Sequence, residues 1–157
     1  MQRQGNEVWV FLATVGGLGR LPLAPGTWGS VVGLLLGLLA VRMVSFPMDV
    51  AVLVAAFPLC AFICTQAERS LGQHDPPSVI LDEVWGMAAV IVMLDWTASS
   101  WIILVVAFLL FRAFDIVKPP PLKRFASLPA GWGIMADDVG AAAYAILVLW
   151  LGLRVTR

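Results

Sequence analysis

Val50–Ala67 reads VAVLVAAFPLCAFICTQA, a run without a single charged side chain. As a helix it covers about 27 Å at ~1.5 Å per residue, close to the ~30 Å hydrocarbon core of a bilayer. Similar uncharged stretches lie on both sides of it: Leu21–Val41 before, and Val84–Leu94, Trp96–Phe111 and Val139–Leu153 after. Charged residues fall between them, as they do at the ends of membrane helices. The pattern predicts an all-α, compact polytopic membrane bundle in a single domain, 1–157. About five helices are expected, at roughly 30–44, 48–71, 82–95, 99–117 and 138–155. Several are shorter than the ~20 apolar residues that an untilted span needs. These are expected to start at the interface, to kink, or to be shielded by neighbours. Asp95–Ser99 reads as a tight turn between the third and fourth helices.

Composition agrees with this reading. Of the 157 residues, 61% are hydrophobic and only 13% charged, against ~45–50% and about 25% in soluble domains. Mean hydropathy is +0.92. Ten basic residues balance ten acidic ones, and no basic patch interleaved with aromatics occurs, so nucleic acid is not an expected partner. Cys60 and Cys64 stand four apart in an apolar run, poorly placed for a bridge on one helix; both read as small packing residues. His74, the one histidine, cannot build a His-rich metal site. Arg3 followed by the apolar Val8–Val15 suggests a signal peptide only weakly, because Glu7 and the Gly-Gly-Leu-Gly stretch do not suit cleavage.

With five spans, Arg3, Arg20, Arg69, Arg112, Lys118, Lys123 and Arg124 lie on one side and Arg42, Arg154 and Arg157 on the other. The basic majority marks the first side as cytoplasmic. That arrangement, built without reference to acids, also collects Asp75, Asp82, Glu83, Asp115, Asp137 and Asp138 on the same side. Gly29, Gly33 and Gly37 form a GxxxGxxxG stripe, the spacing that lets helix backbones approach in lipid. The stripe can pack within the chain or against a second copy, and the sequence leaves both open.

Four segments carry polar chemistry. Gly17–Ser30, GLGRLPLAPGTWGS, is punctuated by Gly and Pro and reads as a loop ahead of the first helix. Its backbone N–H groups suit a phosphate oxyanion, with Arg20, Thr27 and Ser30 as added donors; Thr27 or Ser30 could equally cap the helix. Asp75–Gly86, DPPSVILDEVWG, places Asp82 and Glu83 at a helix start, where Asp82 could serve as a cap. An ionised Glu83 entering an apolar helix needs a partner or a cation, and carboxylates without thiolates suit a hard ion such as Mg²⁺. In Phe111–Pro121, FRAFDIVKPPP, Arg112, Asp115 and Lys118 recur every third residue near one helix face. Such a trio is either an interfacial salt-bridge set with snorkelling cations or part of a site. In Gly131–Val139, GWGIMADDV, Asp137 and Asp138 are expected to open the last helix. Set opposite Asp82, Glu83 and Asp115, they create repulsion that protons or a divalent cation would relieve.

In this order, the segments resemble the phosphatidylglycerophosphatase A family, which shares a GxGxxPxAPGTxGS-like loop, a DPxxIVxDExxG-like segment and an FRxFDIxKPxP…GxGIMxDDxxA-like ending. Ala130 and the Gly140-Ala141 order depart from that pattern. The resemblance implies a Mg²⁺-dependent enzyme that hydrolyses phosphatidylglycerophosphate to phosphatidylglycerol and phosphate. It implies a multi-pass protein of the bacterial inner membrane with its site facing the cytoplasm. Its carry-over falls on Asp82, Glu83, Asp115, Asp137 and Asp138 as catalytic and metal-binding residues. Arg20, Thr27, Arg112 and Lys118 are implied for substrate binding, with Pro25 and Gly26 in the motif. Other lipid-phosphate chemistries do not fit: one histidine is too few for a histidine-nucleophile phosphatase, and neither DxDx[TV] nor DxxDGxxAR occurs. The readings from other classes are a small cation transporter, which would want acids spread through membrane depth, and a membrane assembly subunit, which the glycine stripe would suit.

Overall fold

The computed structural model describes residues 2–94, 100–125 and 128–155. Among them all regular structure is helical: α1 Gln2–Ala13, a 3₁₀ turn Leu18–Arg20, α2 Pro25–Met43, α3 Phe46–Leu71, α4 Leu81–Met93, α5 Trp101–Val117, the short α6 Leu122–Phe125, and α7 Gly131–Val155. The all-α bundle read from the sequence is borne out. Three of these helices, α2, α3 and α7, are long and apolar enough to cross a membrane. Outward-facing Leu35, Leu39, Val54, Leu109, Leu147 and Leu151 are about half exposed or more. Apolar exposure on this scale marks a surface that meets lipid or protein rather than water.

The short third helix of the sequence reading, here α4, is the centre of the bundle. Its 13 residues cover about 20 Å at ~1.5 Å per residue, too little to span alone. Neighbours shield it, as expected: α2, α3, α5 and α7 all pack on it, and Met87, Val90 and Ile91 are fully buried. One core joins those residues to Ala107 and Phe111 of α5, Leu122 of α6, and Ala141, Ala142, Ala145 and Leu149 of α7. A second core joins Val10 and Ala13 of α1 to Ala61 and Cys64 of α3 and Ile134 and Met135 of α7. Cys60 and Cys64 are unbridged packing residues.

The glycine stripe explains how α2 lies so close to α4. A Cβ on Gly29 would stand 2.9 Å from the Ile80 carbonyl oxygen, one on Gly33 3.0 Å from Met87 Cβ, and one on Gly37 2.7 Å from Ile91 Cβ. All three glycines are buried inside the chain. A second copy therefore has no access to this stripe, and any homo-oligomer would have to use another surface.

Several boundaries differ from the sequence reading. The N-terminal segment forms α1, whose Val10 and Ala13 are buried while Val8, Phe11 and Leu12 face outward; its polar first half hid the helix. α2 begins at Pro25, not near residue 30, because proline's fixed φ and missing N–H suit the first helical position. α7 begins at Gly131, not 138. Gly131 docks on α3, its N–H donating to Thr65 Oγ1 at 3.1 Å, while Thr65 Oγ1 donates to the Ala61 carbonyl at 2.7 Å. Asp137 and Asp138 thus sit nearly two turns inside α7 and do not open it. The expected Asp95–Ser99 turn lies outside the described residues, as do Ser127 and Arg157.

Candidate active site

Four helix ends and one loop converge at one end of the bundle. α4 contributes Asp82 and Glu83 in its first turn, α5 contributes Arg112 and Asp115 in its last two turns, and Lys118 follows as the α5 cap. α7 supplies Asp137 and Asp138, and the start of α2 supplies Ala24, Pro25 and Gly26. With Asp75–Pro77 and Val79 these enclose a polar cavity of about 300 Å³. Gly26 leaves room there: a Cβ at that position would press on Glu83 Oε1 and stand 2.9 Å from Arg112 Nη1, so both charged ends would have to shift. The absent side chain lets the α2 N-terminus, with its partial positive charge, approach the cations and carboxylates.

The charged groups divide into two sets. Arg112 Nη1 lies 2.6 Å from Asp115 Oδ2 and 3.8 Å from Glu83 Oε1, and Lys118 Nζ is paired with Asp137 Oδ2. Burial disfavours the Lys118 ammonium, but its hydrogen bond to Asp137 and that residue's charge outweigh burial and hold its pKa above the ordinary lysine value. Asp82 and Asp138 have no cation partner among the described residues, and Glu83 shares Arg112 with Asp115. Carboxylate oxygens of Asp82, Glu83 and Asp138 lie within 4.8 Å of one another. Asp82 Oδ1, Glu83 Oε2, Asp137 Oδ1 and Asp138 Oδ2 are buried without a hydrogen-bond partner among the described residues, as is Arg112 Nε.

Six carboxylates line the cavity (Asp75, Asp82, Glu83, Asp115, Asp137, Asp138) against two cations, Arg112 and Lys118, a formal charge of −6 + 2 = −4. An anionic phosphate ester entering such a cavity would be repelled unless positive charge accompanied it. The orphaned oxygens, all hard donors from four different carboxylates, fit a divalent cation of the Mg²⁺ type. The five acids singled out in the sequence therefore meet in one cavity. Asp82, Glu83 and Asp138 are close enough to share an ion, while Asp115 and Asp137 are held by Arg112 and Lys118.

Other sequence expectations are corrected. Arg20 is exposed at the end of the 3₁₀ turn, Thr27 lies within α2, and neither lines the cavity. Ser30 is neither a cap nor a phosphate donor; its hydroxyl donates to the Gly26 carbonyl at 2.9 Å inside the helix. The residue ahead of α2 is Ala24, with no side-chain cap, and Asp82 makes no capping bond at α4. Ala24 and Asp75 were given no role from the sequence. Together with Lys118 they hold positive φ of 46–47°, a conformation costing non-glycine residues about 1–2 kcal/mol. Val15 and Ala130, away from the cavity, share this conformation. Asp75 is fixed through its backbone N–H, which donates to Glu68 Oε1 at 3.3 Å, and Glu68 also pairs with His74. Only a reading of backbone geometry could have found this.

Buried carboxylates and cations gathered at one end of an apolar helical bundle define an all-helical enzyme suited to a phosphate ester. The family match makes it particular: the chain belongs to the phosphatidylglycerophosphatase A family, whose model matches residues 11–153. It is 37% identical over 143 residues to phosphatidylglycerophosphatase A of Haemophilus influenzae, covering 90% of this chain and 86% of that one. The Escherichia coli protein of the same name is 31% identical over 148 residues, 92% and 83% of the two chains. A Bacteroides thetaiotaomicron relative, 29% identical over 143 residues, carries the provisional name phosphatidylinositol-3-phosphatase. No solved structure matches the chain.

Proposed function

We propose that this enzyme hydrolyses phosphatidylglycerophosphate to phosphatidylglycerol and inorganic phosphate in a Mg²⁺-dependent reaction. The proposal includes a multi-pass protein of the bacterial inner membrane with its cavity on the cytoplasmic face. The observation that carries the reaction is the meeting of Asp82, Glu83 and Asp138, with unpartnered buried oxygens, beside Arg112 and Lys118. Asp82, Glu83 and Asp138 would hold the cation. When bound, it supplies charge neutralisation and Lewis acidity toward the phosphoryl group.

The chain's own residues account for binding and orientation. Arg112 and Lys118 direct N–H donors into the cavity, where phosphoryl oxygens gather negative charge during transfer. Asp115 and Asp137 hold those two cations in place, so they act as positioning residues. Gly26 brings the α2 N-terminus alongside. In the overall reaction the elements of water add across the phosphate ester bond, whose cleavage leaves phosphate and the lipid's alcohol. The two lipids named by the relatives are both phosphomonoesters on a phospholipid head group, which is the chemistry this cavity accommodates.

The cytoplasmic orientation rests on the basic residues of Arg112–Arg124. A transporter would distribute acids through the membrane. Outside the cavity, the buried acid among the described residues is Asp49, bound through Oδ1 to its neighbouring Val50 N–H at 2.8 Å. Phosphate release from the lipid by purified protein, with Mg²⁺ or with a chelator, tests the proposal. Absence of release with Mg²⁺ would refute it.

A further inference from the structure

A separate apolar groove runs along α7, starting one turn beyond the cavity residue Asp137. The helix face that bears Asp137 presents Gly140 one turn later, then Ala143, Tyr144 and Leu147. With Pro121 and Leu122 these line a groove of about 380 Å³. Its upper end lies beside the Lys118–Asp137 pair, since Gly140 is one turn past Asp137 and Pro121 three residues past Lys118. Gly140 shapes the floor: a Cβ there would come within 2.8 Å of Leu122 Cγ, and its absence lets Leu122 bury against α7. Tyr144 fixes one wall, its hydroxyl donating to the Pro120 carbonyl at 3.0 Å and its ring 5.3 Å from that of Phe114. Ala143 and Leu147 are exposed, so the groove opens sideways, where lipid lies. Lys123 and Arg124 follow Leu122 directly and are also exposed.

We infer that this groove seats one acyl chain of the lipid phosphomonoester, with the basic turn Lys123–Arg124 meeting the lipid's phosphodiester. The inference rests on the phosphatase reading above and extends it to the tail of the substrate. Adjacency supports it, because Pro121 and Leu122 follow Lys118 within four residues and Gly140 lies one turn past Asp137, so a phosphate held at Lys118 would stand beside the groove's end. Length supports it too: the groove lining from Gly140 to Leu147 covers about 10 Å of helix at ~1.5 Å per residue, room for the upper half of an acyl chain. Charge completes the match, cations at the rim and no charged side chain in the groove lining. A groove of about 350 Å³ between α2, α3 and α4 differs in charge: its lining includes the buried carboxylate of Asp49, so a chain lying in it would meet an acid.

The test uses the full chain in mixed micelles, with dioleoyl and dihexanoyl forms of phosphatidylglycerophosphate. Ala143→Trp and Leu147→Trp fill the groove, and Leu109→Trp on the outer face of α5 is the control. The groove variants should raise KM for the dioleoyl lipid about tenfold or more, the loss of roughly two buried methylenes. Turnover of the dihexanoyl lipid, and both activities of Leu109→Trp, should stay within about twofold of wild type. Equal losses on both lipids, or an unchanged dioleoyl KM, would overturn the groove. A binding readout separates this from the reaction itself. An anionic diacyl phospholipid with a diazirine midway along one chain should crosslink to 121–122 and 140–147 in wild type and not in Leu147→Trp. Crosslinks confined to the α2–α3–α4 groove or to α5 would refute the inference even if phosphate release were normal. Failure of wild type to release phosphate from either lipid would instead refute the phosphatase reading and leave the crosslink to decide the groove.

Discussion

Replacing Gly33 by alanine tests the contact that places α2 against α4. The added Cβ would stand 3.0 Å from Met87 Cβ and closer still to the Val84 carbonyl oxygen. Backbone cannot swing aside as a flexible side chain can, so α2 must shift outward. Alanine in a helix interior gains about 1 kcal/mol over glycine, while inserting a methyl into a packed contact costs roughly 1–3 kcal/mol. Gly33 meets two neighbours at once, so the upper part of that range applies and the net loss is about 1–2 kcal/mol. Gly152, with nothing within 4 Å of its would-be Cβ, supplies the matched control and should gain up to about 1 kcal/mol as alanine. Denaturant titration of the purified protein in detergent, followed by far-UV circular dichroism, reads the difference. Gly33→Ala should unfold at lower denaturant than wild type and Gly152→Ala at equal or higher. Equal midpoints for the two variants would refute the close α2–α4 packing. A stripe serving contacts between copies would instead lower oligomer mass while sparing the monomer's midpoint.

Arg112→Lys keeps the charge but gives up the guanidinium's fixed fork toward Asp115 and Glu83; phosphate release should fall about 10- to 100-fold, the value of a charged hydrogen bond, and near-normal kcat/KM would exclude its role. Asp137→Asn removes the hydrogen-bonded charge that does most to hold the Lys118 pKa up, leaving only Asp115 and Asp138 to oppose burial, so the pKa falls relative to wild type. The alkaline limb of the pH–activity profile, if set by Lys118, should move to lower pH in this variant, and an unmoved limb in a variant of unchanged turnover would separate Lys118 from catalysis. Single cysteines at Ser78, Ser99 and Ser127, with Cys60 and Cys64 replaced, should label with an impermeant thiol reagent so that Ser78 and Ser127 share a side and Ser99 lies opposite. Labelling of all three from one side would make α4 re-entrant.

Much of the architecture was legible because it is written in charge-free runs. Val50–Ala67 lies within α3, and the shielding of α4 followed from arithmetic on Val84–Leu94. The gathering of acids at one face emerged from basic residues alone, and the cavity unites the same six carboxylates. The helix starts were obscured where glycine carried two meanings. Gly26, Gly29 and Gly131 look like loop residues by propensity, yet they lie in helices at points where neighbouring elements approach too closely for a side chain. That is tertiary information, and no local rule contains it. The same cause misplaced Asp137 and Asp138 at the opening of α7. Arg20 and Thr27 were drawn toward the site by their motif, whereas the fold turns only Ala24, Pro25 and Gly26 inward. Asp75 went unassigned because its backbone conformation, not its spacing, brings it to the rim.

The central claim is that Asp82, Glu83 and Asp138 hold a divalent cation that the reaction requires. The direct measurement is phosphate release from phosphatidylglycerophosphate by chelator-treated protein as Mg²⁺ is added back, for wild type, Asp82→Asn and Asp138→Asn. Wild type should be inactive without the ion and saturate with it. Both variants should keep the wild-type helical spectrum and lose roughly 10²–10³-fold in turnover at saturating Mg²⁺. Full activity of the chelator-treated enzyme, or near-normal turnover by both folded variants, would contradict it.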